Sequence, residues 1–205
     1  MNTVHVNDSE LLTQAFLKGA GLPVDAVSAL TPELMELIGA LLASSIQGTI
    51  DLLALRSLVK QEVKSDVTQV VMRNNNPLKF FPDSQTVLAQ MLRKKMPGFM
   101  EPQEAIEDAR RDLRAHQMAV VAGTRASVGS MLRRLHPERI EAGLGEPSLL
   151  DKLLASRRAA AAWTRYQRKY QNTHRDVADD SKGVFGTTFR EAYENEVQRL
   201  EREDA

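Results

Sequence analysis

From Leu34 to Val59, apolar or small residues recur at alternating steps of four and three: Leu34, Ile38, Leu41, Ser45, Gly48, Leu52, Leu55 and Val59. That spacing is the seam of a long helix laid lengthwise on a partner. A strand, whose side chains alternate every two residues, cannot present it. Thr31-Pro32-Glu33 starts the helix with a capping side chain, a proline suited to the first helical position and an acid at the positive dipole end. The periodicity predicts a helix from Pro32 to about Lys64. Ser45 and Gly48 sit at the middle of the seam, where a partner backbone is expected to cross closely and where leucine at Gly48 would overpack.

A second seam predicts the partner. Glu101-Pro102 opens a helix whose stripe of Ile106, Ala109, Leu113, His116, Val120, Thr124, Val128, Met131 and Leu135 runs to His136-Pro137. Shorter helices are expected at three further places. One lies between Asn7–Ser9 and Gly19–Gly21, one from Asp83 or Ser84 to Lys95, and one from Leu149 to about Gln171, with a turn near Gly183–Gly186 before a last helix. The β-branched run Val67, Thr68, Val70, Val71 is expected to be extended. The fold class is therefore all-α: a single helical domain over residues 1–205, a bundle with two long packed helices and shorter C-terminal ones.

Composition removes several function classes. The 27 basic and 27 acidic residues cancel, so nothing in the balance draws the chain to nucleic acid or an anionic membrane. The absence of cysteine excludes disulfides, thiolate metal sites and cysteine nucleophiles, and fits a cytoplasmic protein. No signal-peptide pattern opens the sequence. The apolar run Leu37–Ile46 stops at Gln47, short of the ~20 residues of a membrane span, and reads as buried helix.

No catalytic, cofactor or metal constellation is visible, so the chain is expected to be non-enzymatic and to need no cofactor. Phosphate loops and nucleophile elbows are missing, and the four histidines lack ligand spacing. His116, on the inner stripe with Gln117 beside it, reads as a polar core group; the alternative is an enzymatic or small-ligand protein built on His116. Lys152 to Arg175 holds seven basic residues and no acid. On a helical wheel Arg158, Arg165 and Lys169 fall opposite Trp163 and Tyr170, predicting cations outward and aromatics inward. Residues 176–205 carry nine acids and four bases, so the first reading of those cations is internal pairing or plain solvation; an acidic protein partner is the second, and nucleic-acid binding through residues 152–175 the least favoured.

One stretch breaks the helical pattern: "RNNNPLKFF", residues 73–81. Asparagines tolerate left-handed backbone and bond the chain from their side chains, and Pro77 pushes Asn76 out of the helical region, so the segment is a chain reversal. Leu78, Phe80 and Phe81 either pin it to the core or, with Lys79, offer a docking edge.

These residues also carry a resemblance. "NNNPLKFFPDSQTVLAQML", then "PGFMEPQEAIEDARRDLRAHQMAVVAGTRASVGSML", "AAAAWTRYQRKYQ" and "VFGTTFREAYE" resemble, in order, the C-terminal domain of type VI secretion system FHA-domain proteins of the TagH/VasC kind. The resemblance implies a cytoplasmic accessory or scaffold module, recruited to the inner-membrane-associated secretion apparatus of Gram-negative bacteria and acting in its assembly and post-translational regulation. Its implied partners are other secretion components, with no nucleic acid and no membrane span. The matching positions are Asn75, Asn76, Pro77, Leu78, Lys79, Phe80, His116 and Gln117. No forkhead-associated β-sandwich pattern is visible in these residues, so phosphopeptide reading is not carried over.

Overall fold

The computed structural model describes residues 4–62, 74–93, 97–146, 155–178 and 186–203. Among them run eight helices: α1 (Val4–Ala20), α2 (Pro32–Glu62), α3 (Pro77–Phe80), α4 (Ser84–Leu92), α5 (Pro102–Arg134), α6 (Pro137–Ala142), α7 (Ala155–Ala178) and α8 (Gly186–Glu203). The fold is all-α. The expected extended run at Val67–Val71 and the turn expected over residues 183–185 lie outside the described residues.

Local chemistry sets the helix ends. Thr31 Oγ1 accepts from Leu34 N at 3.2 Å, and Asp83 caps α4 by accepting from Thr86 N at 2.8 Å. Gly21 takes the left-handed φ of 65° that closes α1, letting Leu22 N reach Leu17 O at 2.9 Å. Pro102 and Pro137 open α5 and α6 as first-turn prolines. The sequence reading missed α6, because its single turn or so carries too few apolar positions to show a period.

The helices share two apolar clusters. In one, Ile46, Ile50 and Leu53 of α2 meet Leu78 of α3, Val87 of α4 and Ala109 of α5. In the other, Ala119 of α5 meets Phe189 and Tyr193 of α8, with Val59, Val120 and Val197 alongside. The two long helices α2 and α5 touch, but the extensive pairing in the molecule is α5 with α8.

The inner face of α5 is built of small side chains, with Ala109 against the α2–α3–α4 cluster and Ala119 and Gly123 against α8. Ala105, Ala109, Ala119 and Gly123 are buried on α5, and with Asp112 and His116 they make the stripe 105, 109, 112, 116, 119, 123. A Cβ at Gly123 would stand 2.6 Å from the Phe189 ring, so only hydrogen fits there. The helix crossing through a glycine therefore exists, but at Gly123 rather than at Gly48.

On α2 the expected seam is not the buried one. Leu41, Leu52 and Leu55 are exposed, as are Ser45 and Gly48, and a Cβ at Gly48 would meet nothing within 4 Å. The core takes the opposite face, Ile46, Ile50 and Leu53. The Leu37–Ile46 run is likewise largely exposed rather than buried, with Leu37, Leu41 and Leu42 open to solvent. Because α2 is apolar nearly all round, three-four spacing can be traced on either side of it. Pro32–Gln61 is also long and apolar enough by composition to cross a membrane, contrary to the reading that stopped at Gln47. Its inner face is nonetheless committed to α3 and α4, and Gln47 Oε1 accepts from Ser84 N at 3.0 Å.

Candidate functional site

Each of the three asparagines at the corner has a separate job. Asn74 adopts the left-handed conformation, φ 61°, and its side chain donates to Glu104 Oε1 at 3.1 Å. Asn75 forms a single parallel bridge to Phe99, donating to Gly98 O at 2.8 Å and accepting from Met100 N at 3.0 Å. Asn76 is buried and caps α3: its Oδ1 accepts from Leu78 N at 2.9 Å, while Nδ2 donates to both Ala105 O and Asp108 Oδ2 at 2.8 Å. That single side chain ties the reversal to the first turns of α5.

Lys79 turns toward the same helix. Its ammonium lies 2.7 Å from Asp108 and 2.8 Å from Asp112, and Asp112 also receives Arg56 of α2 at 3.2 Å. Burial pushes the Asp108 carboxyl up, but hydrogen bonds from Asn76 and Lys79, with the charges of Lys79 and Arg111, outweigh it and hold the group below its ordinary value. Lys79 thus clamps α3 to α5 instead of standing free at a docking edge. Pro77 and Leu78 are buried with Asn76.

Phe80 is the large apolar side chain of this segment that the fold presents to solvent, 54 % exposed. It is held edge-on by Phe81 at 5.1 Å and by Phe99 at 5.4 Å, and those two rings stack on each other at 5.4 Å. Beside the trio a cleft of about 640 Å³ runs between the C-terminal half of α2 and the corner, lined by Leu53, Arg56, Lys60, Lys79, Phe80 and Met100 among others. Its floor is apolar and its rim mostly cationic and amide, an arrangement that suits an extended or helical segment of another protein. Sequence reading found Phe80 and Lys79 but missed Arg56, Asp108, Asp112, Phe99 and Met100. The acids Asp108 and Asp112, one turn apart, were the available signal.

His116 faces α8 and shares a hydrogen bond of 2.8 Å between its Nδ1 and the Tyr193 hydroxyl. Burial holds the imidazole below its ordinary value, and the charges of Arg56 and Lys60 add to this. Burial raises the Tyr193 phenol, so a neutral ring and an intact hydroxyl share the bond, the ring tautomer setting which of the two donates. Gln117 is exposed and is no part of the core. His116 does not line the cleft, and among the described residues no three His, Asp or Glu side chains gather closely enough to hold a metal.

A depressed histidine pKa makes a pH prediction. The stability from neutral His116 is complete above the ordinary histidine value of 6.5 and is lost as pH falls through the lowered native value. Thermal denaturation should show Tm falling between about pH 7.5 and pH 5, with a shallower fall in His116→Gln. Equal slopes would mean that His116 titrates alike in folded and unfolded chains.

On α7 the orientation is the reverse of the wheel's expectation. Arg158 donates to Gly145 O at 3.2 Å, and the Arg165 guanidinium lies over Gly143; both cations face the α6 end of the molecule. Trp163 and Tyr170 are 60 % and 52 % exposed. They form a ladder with Tyr166 and His174, ring centroids 5.4 to 6.4 Å apart. Of the three expected outward cations, Lys169 is the one that stays exposed. Gly143 makes the difference for Arg165, because a Cβ there would stand in the place its guanidinium takes.

The family model for the C-terminal domain of Type VI secretion system FHA protein matches residues 18–196, from the end of α1 into α8. The chain belongs to that family. No curated protein and no solved structure matches it. Membership puts this helical domain in the context of type VI secretion FHA proteins, and the corner, the aromatic trio and the cleft all fall inside the matched residues.

Proposed function

We propose that this domain is a non-enzymatic docking module of the type VI secretion apparatus, gripping another secretion component at the Phe80 rim of the cleft. The observation carrying this reading is the contrast at the corner. Asn76, Pro77 and Leu78 are buried and Lys79 is ion-paired, yet the neighbouring Phe80 is held rigidly in the open by two further rings. An aromatic ring already fixed in place loses little entropy on binding, and such residues dominate protein interfaces. The work is assigned to the cytoplasmic side, as part of assembly and regulation of the machine at the inner membrane.

His116 is structural in this scheme because its polar contact is spent on Tyr193 and it does not line the cleft. Binding of nucleic acid through α7 is disfavoured by the inward turn of Arg158 and Arg165. Phe80→Ser tests the proposal in cells carrying the complete secretion system. Recovery of secretion components with the tagged protein is expected to fall by about tenfold or more, with circular dichroism unchanged. Undiminished recovery of the same components would overturn it.

A further inference from the structure

We infer that α2 pairs, antiparallel, with the α2 of a second copy of this chain, across the face that its own fold leaves bare. The face is the one opposite the core. Leu37, Leu41, Leu52, Leu55 and Leu58 are each 50 to 58 % exposed, and Ser45 and Gly48 lie open between them. No described residue covers this strip at its centre.

The spacing specifies a helix as occupant. Steps of four and three generate the knobs and holes that another helix fills, whereas a lipid surface or an extended peptide has no need of the register. The order of residues further specifies a copy of α2 itself. Read outward from the point between Ile46 and Gln47, the face has the same pattern in both directions: Ser45 and Gly48, then Leu41 and Leu52, then Ile38 and Leu55, with exposed Met35 and Leu58 at the two ends; Val59, beyond them, packs on the Phe189 cluster. A two-fold axis through that point sets Leu41 against the copy's Leu52 and Ile38 against its Leu55, and brings Ser45 beside the copy's Gly48, where small groups let the backbones approach. An isologous contact demands self-complementarity of this kind.

Size and charge agree. The exposed strip runs from Met35 to Leu58, about 36 Å at 1.5 Å per residue, and at about 11 Å wide comes to roughly 400 Å² per copy, about 800 Å² in all, the size of a reversible, transient pair. Asp51 is the one charge on the central strip, and Gln47 already bonds it at 3.0 Å; no like charges meet across the axis. A membrane-lying helix would instead carry a basic margin, and α2 has Glu33, Glu36, Asp51 and Glu62 against Arg56 and Lys60. Arg56 is also held by Asp112.

Sedimentation of the full 205-residue chain at micromolar concentration should give twice 22.8 kDa. Leu52→Glu should weaken that dimer by about thirtyfold or more while helicity and melting of the monomer persist, because Leu52 touches no core cluster. The chain lacks cysteine, so direction can be read by oxidation: Leu41→Cys and Leu52→Cys chains should cross-link when mixed, and neither should do so alone. A monomer at every concentration overturns the inference, as does a dimer untouched by Leu52→Glu or a chain that sediments with phosphatidylcholine–phosphatidylglycerol vesicles and dissociates from its copy. Failure of the Phe80→Ser test leaves this result unaffected, since the two faces are on different sides of α2.

Discussion

Phe189→Ala is expected to destabilise the domain by about 3–5 kcal/mol, seen as a lower urea midpoint. Phe189 is fully buried, stacks on Tyr193 at 6.0 Å and lies against Gly123 and Ala119. Removing the ring empties the middle of the α5–α8 contact, and rigid helices cannot collapse into the gap. The converse substitution, Gly123→Leu, drives a side chain into the space the ring occupies and should cost about 1–3 kcal/mol or more by overpacking. Because the two groups compete for one volume, Gly123→Ala combined with Phe189→Leu should cost less than the sum of the single changes. Simple additivity, or a Gly123→Leu protein that melts like the parent, would show that α8 does not seat its phenylalanine at this glycine.

The second large effect belongs to Asn76. Asn76→Ala removes the cap on Leu78 N and two donations to α5, and leaves Ala105 O and Leu78 N without that partner in a buried place. The expected cost is about 2–3 kcal/mol. Asn76→Asp separates shape from charge. The carboxylate still caps Leu78 N, but it cannot donate to Ala105 O and sits against Asp108. Two adjacent carboxylates raise the pKa of one of them, and a raised acid favours the folded state as it becomes protonated. The deficit of Asn76→Asp relative to the parent should therefore shrink as pH falls toward the carboxylate range. A deficit independent of pH would mean that Asp108 does not face position 76. Lys79→Glu belongs to the same network and should also destabilise, since it would put three acids together at residues 79, 108 and 112.

How much of this was legible differs from one residue type to another. Capping and turn signals act within a few residues, so Thr31-Pro32, Asp83 and the Asn-Pro corner were read from the chain and stand where they were placed. The family likeness rested on the same local motifs and is matched over residues 18–196. Packing partners were not legible. The stripe assigned to α5 shared Ala109, Leu113, His116 and Val120 with the real interior, but Ile106, Val128 and Met131 point largely outward. The small residues at 105, 119 and 123 go inward instead. Large apolar residues drew attention, while the helix contact needed the absence of side chains at Gly123.

The corner shows the same division. That the chain reverses at Asn76-Pro77 follows from their own chemistry; the turn of helix that Asn76 caps is a finding of the fold. That Lys79 is spent on Asp108 and Asp112, leaving Phe80 as the open apolar residue, depends on acids about thirty positions away.

By itself, then, the sequence determined an all-α chain, where α2, α4 and α5 begin, and the reversal at residues 74–77, because propensity, capping and turn geometry are settled by neighbours along the chain; α1 begins at Val4, ahead of the expected Asn7–Ser9 cap. Tertiary structure alone decided which side of α2 is buried, which glycine a helix crosses, and that α7 turns Arg158 and Arg165 inward and Trp163 and Tyr170 out. A helix apolar nearly all round offers two faces of equal period. Only the neighbours that dock on one of them break that equivalence.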